Sequence, residues 1–543
     1  MCGRQQQMSL FSAPVDRIAV ANPVVYSRSL TQPHIMTRTA KLLLVPVLLL
    51  QTLFFSFIAL HRFVDGDEGF YLLASRLVLM HKKPYLDFFY PHLPLLPYVY
   101  ASWMKCFGIS WTSGRLFSAL LTTLLGALLY EHVCEQTRNW LAGVVGLILF
   151  ASSTLVFAWF PLARTYSLAG LLLFSAYVIV SRLSAASPRW LMGAGGLLFG
   201  LSVDARSYLL LLIPVFLSWI FHNSDPRTRL RSILWFVGGF TLGIAPSFFL
   251  FLSSPDAFQF DNLRYHAIKS NNGLIGWWQE KVAIVLMTFL GGPEGNGIQN
   301  SILFFVSLGF MFSIRKLRNP PWLALQIAFV LCIVSLVPTP TVSQYFCLCV
   351  PFFAVSAVCV VNNLCTTLKS SRERLLAAVA FVALLSIYLG ASANDFRKYL
   401  ITGEGIPGVR WARDKGDWRL QRILEVSQAI DQIASPGEMV ASFWPGYIFQ
   451  TKATPFPGFE NDYGLPVSEN LTSEQRSRYH ILSLANLESN FAAHTPRIVV
   501  LGNENHLMEE ATGDRVKTSL RAHGYTVVRS IGDASIYCFC SNP

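Results

Sequence analysis

The chain has 543 residues, of which 53% are hydrophobic and only 14% are charged. Soluble globular proteins carry about a quarter of charged residues, so this composition predicts a membrane protein and excludes a disordered or collagen-like chain. The formal net charge is +12, but the basic residues fall mainly in short loops between apolar runs rather than on one stripe, which argues against a nucleic-acid partner.

Residues 1–40 are polar and basic, lack the cleavage pattern of a signal peptide, and are predicted to form a cytoplasmic tail. The first apolar run, Leu42 to Leu60, is long enough to cross a bilayer core of about 30 Å as a helix. Further apolar runs lie near residues 115–133, 140–160, 167–181, 190–203, 208–221, 232–252, 300–314, 322–337, 343–362 and 375–391. Together they predict an α-helical polytopic membrane protein with about eleven transmembrane helices within residues 41–391.

The positions of Lys and Arg predict the orientation, because short cytoplasmic loops of membrane proteins are rich in both. If the tail is inside, every loop that falls inside is basic; the residues concerned are Arg138, Arg182, Arg189, Arg227, Arg229, Arg231, Arg315, Lys316, Arg318, Lys369, Arg372 and Arg374. The segments 61–113 and 253–299 and everything after about residue 392 then lie outside. We therefore expect a plasma (inner) membrane protein with a cytoplasmic N-terminus.

Residues 392–543 differ from the rest in pattern. Helical patterns alternate with short β-rich runs, which predicts an extracytoplasmic α/β domain. The predicted helices are Trp418 to Ala434, Ser473 to Phe491 and Asn505 to Ala522, and the predicted strands are Met439 to Phe443, Arg497 to Leu501, Thr526 to Arg529 and Ser535 to Phe539. Cys538 and Cys540 fall on the last strand, where alternate side chains point to opposite faces, so we expect them not to pair with each other.

Three acidic residues, Asp65, Asp67 and Glu68, directly follow the first predicted span. An amphipathic segment comes next, with apolar residues at helical spacing, namely Phe70, Leu73, Leu77 and Met80. Asp67 stands where the N-cap of this helix is expected, and the helix dipole there favours an ionised carboxylate. Spacing alone leaves two interpretations open, a helix cap and a general base.

The segment around these residues resembles a known loop. An acidic pair (Asp67-Glu68), an aromatic pair (Phe70-Tyr71) and the run Tyr85-Leu86-Asp87-Phe88-Phe89-Tyr90-Pro91-His92-Leu93-Pro94-Leu95 are similar to the first outside loop of the GT-C class of integral-membrane glycosyltransferases. The pattern is more similar still to the bacterial branch related to protein O-mannosyltransferases, aminoarabinose transferases and Rgt-type lipopolysaccharide sugar transferases. It extends over roughly residues 42–360, and residues 444–447 and 457–461 resemble the trailing outside domain of that branch.

This resemblance implies an inverting transfer of a sugar from a polyprenyl-phosphate donor to a lipid, glycan or protein acceptor on the outer face. It implies that Asp67 is the base on the acceptor hydroxyl, with Asp65 as a possible substitute. Glu68 matches a second acidic residue that positions the acceptor, or holds a divalent metal where a member uses one. No other cofactor is expected. Tyr71, Asp87 and Tyr90 of the same loop are implied contacts of the substrate.

A departing lipid phosphate develops negative charge, so the chemistry requires donors aimed at it. The resemblance places His92 at a position that is often basic, although His is a weak cation at neutral pH, and it places Tyr345 near the phosphate. The cations predicted to face outside are Arg164, Arg206, Arg264, His266 and Lys269. Structural alternatives stay open: an ion pair of Arg206 with Asp204, an interfacial helix for Arg264, and an interfacial anchor for Tyr345.

Two other classes of protein fit the hydropathy. A multi-pass transporter usually shows internal symmetry and charged residues in mid-helix, whereas here the charges lie at span ends and no repeat is visible. A polymerase or ligase of surface polysaccharide also uses an outside loop, but typically without an acidic pair directly after the first span.

Overall fold

The computed structural model describes residues 38–182, 188–269, 273–291, 297–313, 320–409, 412–502 and 510–540. Most of the predicted cytoplasmic tail, residues 1–40, therefore lies outside the described residues. The same holds for the basic loop that contains Arg315, Lys316 and Arg318.

The described chain is mainly helical. Its α-helices are α1 (Arg38–His61), α2 (Gly66–Leu79), α3 (Leu95–Phe107), α4 (Trp111–Thr137), α5 (Trp140–Ala151), α6 (Thr154–Phe157), α7 (Thr165–Ser181), α8 (Trp190–Ala205), α9 (Ile213–Asn223), α10 (Arg229–Gly243), α11 (Ala245–Ser253), α12 (Pro255–Gln259), α13 (Tyr265–Lys269), α14 (Gly273–Leu290), α15 (Gly297–Ser313), α16 (Pro320–Val334), α17 (Val350–Thr367), α18 (Ser371–Arg397), α19 (Leu420–Ile433), α20 (Gly446–Phe449), α21 (Ser473–Arg478), α22 (Leu484–Ala492) and α23 (Glu510–Ala522).

Four of the described helical segments are long and apolar enough to cross a membrane: Thr39–His61, Trp111–Thr137, Ser343–Thr367 and Ser371–Thr402. The pair α10 and α11 passes the same test as a single span with a bend of 51°. Pro246 lies in the first turn of α11 and has no N–H to continue the hydrogen bonding of α10, which accounts for the bend. Shorter apolar helices, of 10–17 residues, overlap other predicted runs. The membrane class of the protein is confirmed, and the count of eleven spans stays a prediction.

Helices α8 and α10 pack unusually close. A Cβ atom on Gly196 or Gly239 would overlap the backbone of the facing helix. Small residues at such a crossing allow two helices in a membrane to approach backbone to backbone. The contact fixes the end of α8, and with it Asp204 and Arg206, against the helical body.

The C-terminal region contains a five-stranded sheet in the order β2-β1-β3-β5-β4. Its strands are β1 (Met439–Ser442), β2 (Thr454–Pro455), β3 (Ile498–Leu501), β4 (Thr526–Ile531) and β5 (Ala534–Cys538). The β1 strand pairs in parallel with β2 and β3, and β5 runs antiparallel to β3 and β4. Along β3, Ile498 and Val500 pack in the same core as the long helices, whereas Val499 and Leu501 pack in a second core with α22 and α23. The central strands of the sheet are therefore covered on both faces and continuous with the helical body, whereas the edge strand β4 is mostly exposed.

Two predictions for this region are wrong. The predicted helix Ser473 to Phe491 is two helices, α21 and α22, and Ser483 begins the second as its N-cap. Cys538 and Cys540 form a disulfide with each other. The alternation rule does not apply to this pair because β5 ends at Cys538 and Cys540 lies beyond it. The β2 strand was not predicted, and the outside location of the region stays a prediction.

The predicted orientation has a direct test. Ser473 is exposed at the start of α21, so a Ser473→Cys variant without the exposed Cys106 and Cys365 should react with an impermeant thiol reagent in intact cells. A matched variant that lacks Cys2 and Cys106 keeps Cys365, at the predicted inner end of α17, as its one exposed cysteine among the described residues, and it should react only after lysis. Labelling of the Ser473→Cys variant only after lysis would contradict the orientation.

Candidate active site

The acidic cluster lies at the start of α2. Asp65, not Asp67, is the N-cap, and it forms a capping box in which the Asp65 N–H donates to the Glu68 carboxylate at 2.9 Å. The prediction for Asp67 was wrong by two residues, because a capping box needs an acidic residue three positions after the cap and only Asp65 and Glu68 have that spacing. Asp67 therefore has no capping role in α2.

The α2 helix is not amphipathic as predicted. Every residue from Glu68 to Leu77 is buried, because the C-terminal region covers the side that the helical body leaves open. The Trp444 indole N–H donates to the Gly66 carbonyl at 2.9 Å, and Gly69 lies directly against Gly446. The two parts of the chain thus enclose α2 between them.

Glu68 fixes the start of α2 in the helical body. Its side chain is fully buried and accepts hydrogen bonds from the Arg115 Nε at 2.8 Å and from the Ala163 N–H at 3.1 Å. Arg115 also donates to the carbonyls of Ala59 and Arg62, each at 2.9 Å, at the end of α1. The geometry therefore gives Glu68 a positioning role, with its carboxylate oxygens already occupied.

Asp65 and Asp67 share one guanidinium. Arg164 donates through Nη1 to Asp65 at 2.6 Å and through Nη2 to Asp67. The second carboxylate oxygen of Asp67 accepts a hydrogen bond from the Tyr463 hydroxyl. The Asp67 side chain is 23% exposed, compared with 6% for Asp65. Asp67 is thus the more accessible of the two carboxylates.

The two carboxylates differ in acidity. Burial raises the pKa of Asp65 to about 6, although Arg164 opposes the shift. Burial acts in the same direction on Asp67, but Arg164 and the Tyr463 hydroxyl outweigh it and hold its pKa below the ordinary value. Acidity alone would favour Asp65 as a base near neutral pH, but a base must reach the proton that it removes, and Asp67 is the more exposed of the two.

A divalent metal does not fit this arrangement. The Arg164 guanidinium stands between Asp65 and Asp67, and Glu68 is engaged by Arg115. In the part of the chain that the structure describes, no three His, Cys, Asp or Glu side chains are grouped so that they could hold a metal ion.

A second cluster surrounds Arg206. Its guanidinium donates to the Thr165 hydroxyl, and its carbon centre lies 4.3, 4.9 and 5.0 Å from the ring centroids of Tyr166, Tyr208 and Tyr345. The prediction that Arg206 and Tyr345 belong to one site agrees with this geometry. Arg206 forms no ion pair with any described carboxylate, so its charge remains available to an anion.

The alternative in which Arg206 pairs with Asp204 is wrong. Asp204 accepts a hydrogen bond from the Ser247 hydroxyl on α11 instead. The Tyr166 ring lies 5.2 Å from the Arg164 guanidinium as well as 4.3 Å from that of Arg206. One aromatic ring therefore joins the acidic cluster to the Arg206 cluster, and the two form a single site.

His92 lies beside this site without carrying charge. Its ring is parallel to that of His266 at 6.2 Å and tilted against Tyr71 at 5.3 Å. Burial, together with His266 and Arg206, lowers the pKa of His92 to about 3, so the ring is neutral at pH 7. Its Nδ1 faces the Pro91 carbonyl, which can only accept, so Nδ1 carries the hydrogen and Nε2 has a lone pair. This geometry does not favour the predicted contact with phosphate.

The remaining predicted residues are placed differently. Tyr71 is buried, and its ring is tilted against that of Phe70 with a centroid distance of 4.1 Å. The Tyr90 backbone N–H donates to Asp261 at 2.8 Å. Asp87 is exposed and closes a turn by accepting from the Lys83 N–H at 2.7 Å, and the exposed Arg264 pairs with Asp256 at 3.1 Å. The structure brings neither Asp87 nor Arg264 into contact with the acidic cluster or with Arg206.

Sequence reasoning missed Tyr463, Tyr166 and Tyr208 and did not assign Arg164 to the carboxylates. Tyr463 is 396 positions from Asp67 and Arg164 is 97 positions away. The closest signal was the stretch 457–461, which was noted for its resemblance and ends two residues before Tyr463.

Comparison with known proteins shows what the chain is similar to. A family model described as dolichyl-phosphate-mannose-protein mannosyltransferase matches residues 90–250. The crystal structure of ArnT from Cupriavidus metallidurans bound to undecaprenyl phosphate superposes with a TM-score of 0.62 at 13% identity, over 92% of this chain and 97% of that one. The chain has a GT-C fold. The predicted resemblance to GT-C glycosyltransferases is thereby confirmed.

Two further solved structures match parts or most of the chain. The apo structure of the same ArnT gives a TM-score of 0.62 at 12% identity, with the same coverage of 92% and 97%. The protein O-mannosyltransferase Pmt1–Pmt2 complex of S. cerevisiae gives a TM-score of 0.34 at 16% identity, over 41% of this chain and 35% of that one. No curated protein sequence matches the chain.

Proposed function

We propose that this GT-C protein is an inverting glycosyltransferase that moves a sugar from a polyprenyl-phosphate donor to a hydroxyl of a lipid, glycan or protein on the outer face of the membrane. The observation that carries the proposal is that one site contains a carboxylate and a separate guanidinium, since the Tyr166 ring contacts both Arg164, which holds Asp67, and Arg206. The carboxylate, Asp67, has access to solvent, and the guanidinium, that of Arg206, is one that no described carboxylate pairs with.

The chemistry follows from these groups. Asp67 removes the proton from the acceptor hydroxyl as its oxygen bonds to the anomeric carbon. The bond from that carbon to the phosphate oxygen breaks on the opposite side, and the polyprenyl phosphate leaves with the electron pair. Arg206 and the Tyr345 hydroxyl stabilise the charge that develops on the phosphate. Arg164 holds Asp67 in place throughout.

The apolar helices supply the route for the donor. A polyprenyl chain stays in the bilayer, so the donor reaches Arg206 laterally, whereas a polar acceptor reaches Asp67 from water. The ArnT relative, whose structure was solved with undecaprenyl phosphate, supports a donor of this class.

The test is transfer of radiolabelled sugar from undecaprenyl-phosphate donors in membranes that contain the full chain. We expect label to become covalently bound in the envelope fraction, and roughly 10²- to 10⁴-fold more slowly with an Asp67→Asn chain at equal abundance. Label that crosses the membrane without forming a new glycosidic bond would identify a transporter. Label that appears only in long polysaccharide would identify a polymerase or ligase.

The donor site makes its own prediction. Arg206→Ala should raise the donor concentration for half-maximal transfer by roughly 10- to 100-fold, because it removes a charged hydrogen bond to the phosphate, and Tyr345→Phe should raise it by roughly 2- to 10-fold. The dependence on acceptor should not change. Arg264→Ala is the matched control, since Arg264 is exposed and pairs with Asp256. A changed acceptor dependence at constant donor dependence would contradict the assignment.

A further inference from the structure

The hydroxyl of Tyr463 donates a hydrogen bond to the Asp67 oxygen that would take the proton of the acceptor substrate. One Asp67 oxygen accepts a hydrogen bond from Arg164, and the other accepts a hydrogen bond from the Tyr463 hydroxyl. If Arg164 moved away from Asp67, it would also lose its hydrogen bond to Asp65, to which it donates at 2.6 Å. An acceptor therefore gains access to Asp67 through the oxygen that Tyr463 now occupies.

The hydrogen bond from Tyr463 to Asp67 is of the same kind that a bound acceptor substrate would form. A tyrosine hydroxyl and the hydroxyl of a sugar, lipid or serine each donate one O–H to a carboxylate. For a base to remove the proton of an acceptor hydroxyl, that hydroxyl must first form the same hydrogen bond. Tyr463 and an acceptor therefore both require the Asp67 oxygen that Arg164 leaves open.

The surroundings place the Tyr463 ring at the mouth of the site. The ring is half-buried, the edge-to-face contact with Phe70 has a centroid distance of 5.3 Å, and the Lys269 ammonium lies 4.6 Å from the ring centroid. Its backbone belongs to the 3₁₀ helix Asp462–Asn470, which Asn461 caps by accepting from the Tyr463 N–H at 3.0 Å. The hydroxyl can therefore leave Asp67 by a side-chain movement while the cap holds the backbone.

We propose that Tyr463 is an internal stand-in for the acceptor, whose hydroxyl occupies the acceptor position on Asp67 until an acceptor displaces it. This inference rests on the proposed function and deepens it. It makes the segment 461–470 the part of the chain that sets the affinity for the acceptor. An acceptor binds productively only if its hydroxyl and the groups around it replace the contacts of Tyr463.

The test uses the full chain in proteoliposomes, a radiolabelled undecaprenyl-phosphate-linked sugar, and graded amounts of an envelope extract from the cells that make this protein. Tyr463→Phe removes the competing hydroxyl and keeps the ring. We expect the amount of extract for half-maximal transfer to fall by roughly 3- to 10-fold, with a maximal rate within about twofold of the wild type. An unchanged half-maximal amount of extract would overturn the proposal. A maximal rate at least about tenfold lower would also overturn it, because it would show that the hydroxyl takes part in the reaction.

A pH profile separates this role from a structural one. The Tyr463 hydroxyl contributes to the low pKa of Asp67, so its removal raises that pKa. Transfer requires the ionised base, and the acid limb of the rate profile should therefore move to higher pH in Tyr463→Phe. Tyr479→Phe is the matched control: the Tyr479 hydroxyl also donates to a carboxylate, that of Asp256 at 2.8 Å, away from Asp67. Neither the acid limb nor the half-maximal amount should change in that variant.

A measurement without sugar transfer distinguishes failure of this inference from failure of the proposed function. A water-soluble carbodiimide with an amine nucleophile modifies accessible carboxyl groups, and mass spectrometry locates the product. Asp67 should be modified several-fold faster in Tyr463→Phe than in the wild type and Tyr479→Phe. An equal rate would overturn the inference, whatever the protein transfers. If the wild type transfers no sugar although Asp67 becomes more reactive, only the proposed function fails.

Discussion

Replacement of Asp67 by Asn is expected to lower sugar transfer by roughly 10² to 10⁴, the usual value of general-base catalysis. The protein should still insert and fold, because the N-cap of α2 is Asp65 and the capping box with Glu68 stays intact. An Asn at position 67 can still accept a hydrogen bond from Tyr463, but it cannot take a proton. Initial rates at saturating donor and acceptor, normalised to protein abundance, measure the effect.

Asp65→Asn is the matched variant for Asp67→Asn. Asn caps helices as well as Asp does, so the cap should survive and transfer should fall much less. The reverse order of effects would make Asp65 the base, as its higher pKa would favour. Near-normal transfer in both variants would mean that neither carboxylate is the base, and the proposed mechanism would have to be given up.

Loss of the Arg115 guanidinium is expected to destabilise the whole fold. In Arg115→Met the fully buried Glu68 loses its partner, and the carbonyls of Ala59 and Arg62 lose their donor. Breaking a buried ion pair on one side costs about 3–5 kcal/mol. We expect a strongly lowered midpoint of thermal unfolding in detergent and little protein in the membrane.

The double variant Glu68→Gln with Arg115→Met should recover part of that loss, because no charge is then left buried without a partner. Arg515→Ala, in the exposed pair of Arg515 with Glu488, is the surface control and should leave the midpoint nearly unchanged. An unaltered midpoint in Arg115→Met would show that Glu68 does not depend on Arg115.

Most of the correct predictions depended on patterns among residues that are close together in the sequence. The apolar composition and the loop motif sufficed for the membrane class and the GT-C resemblance, because each depends on residues close together in the chain. Four short β-rich runs correspond to β1, β3, β4 and β5. The acidic cluster was also found locally, since Asp65, Asp67 and Glu68 are neighbours.

What the sequence could not provide depends on contacts between distant residues. The tyrosines around Arg206 come from α7, from the residues after α8 and from the start of the segment Ser343–Thr367, and nothing in their spacing shows that they meet. The N-cap of α2 was misassigned because three acidic residues lie within four positions. Only the capping box of Asp65 with Glu68 shows which of them is the cap. Breaks such as the bend between α10 and α11 make the number of spans hard to read from hydropathy.

The junction between α2 and the C-terminal region limits how segments can be exchanged between this protein and others of the same fold. Arg76 of α2 donates to the carbonyls of Ile448 and Ala453 at 2.8 and 2.7 Å, and Gly69 leaves no room for a side chain beside Gly446. A chimera that imports only the C-terminal region would present these positions with foreign partners. An exchange of segments between such proteins therefore has to move α2 and the C-terminal region together, although the two are far apart in the sequence.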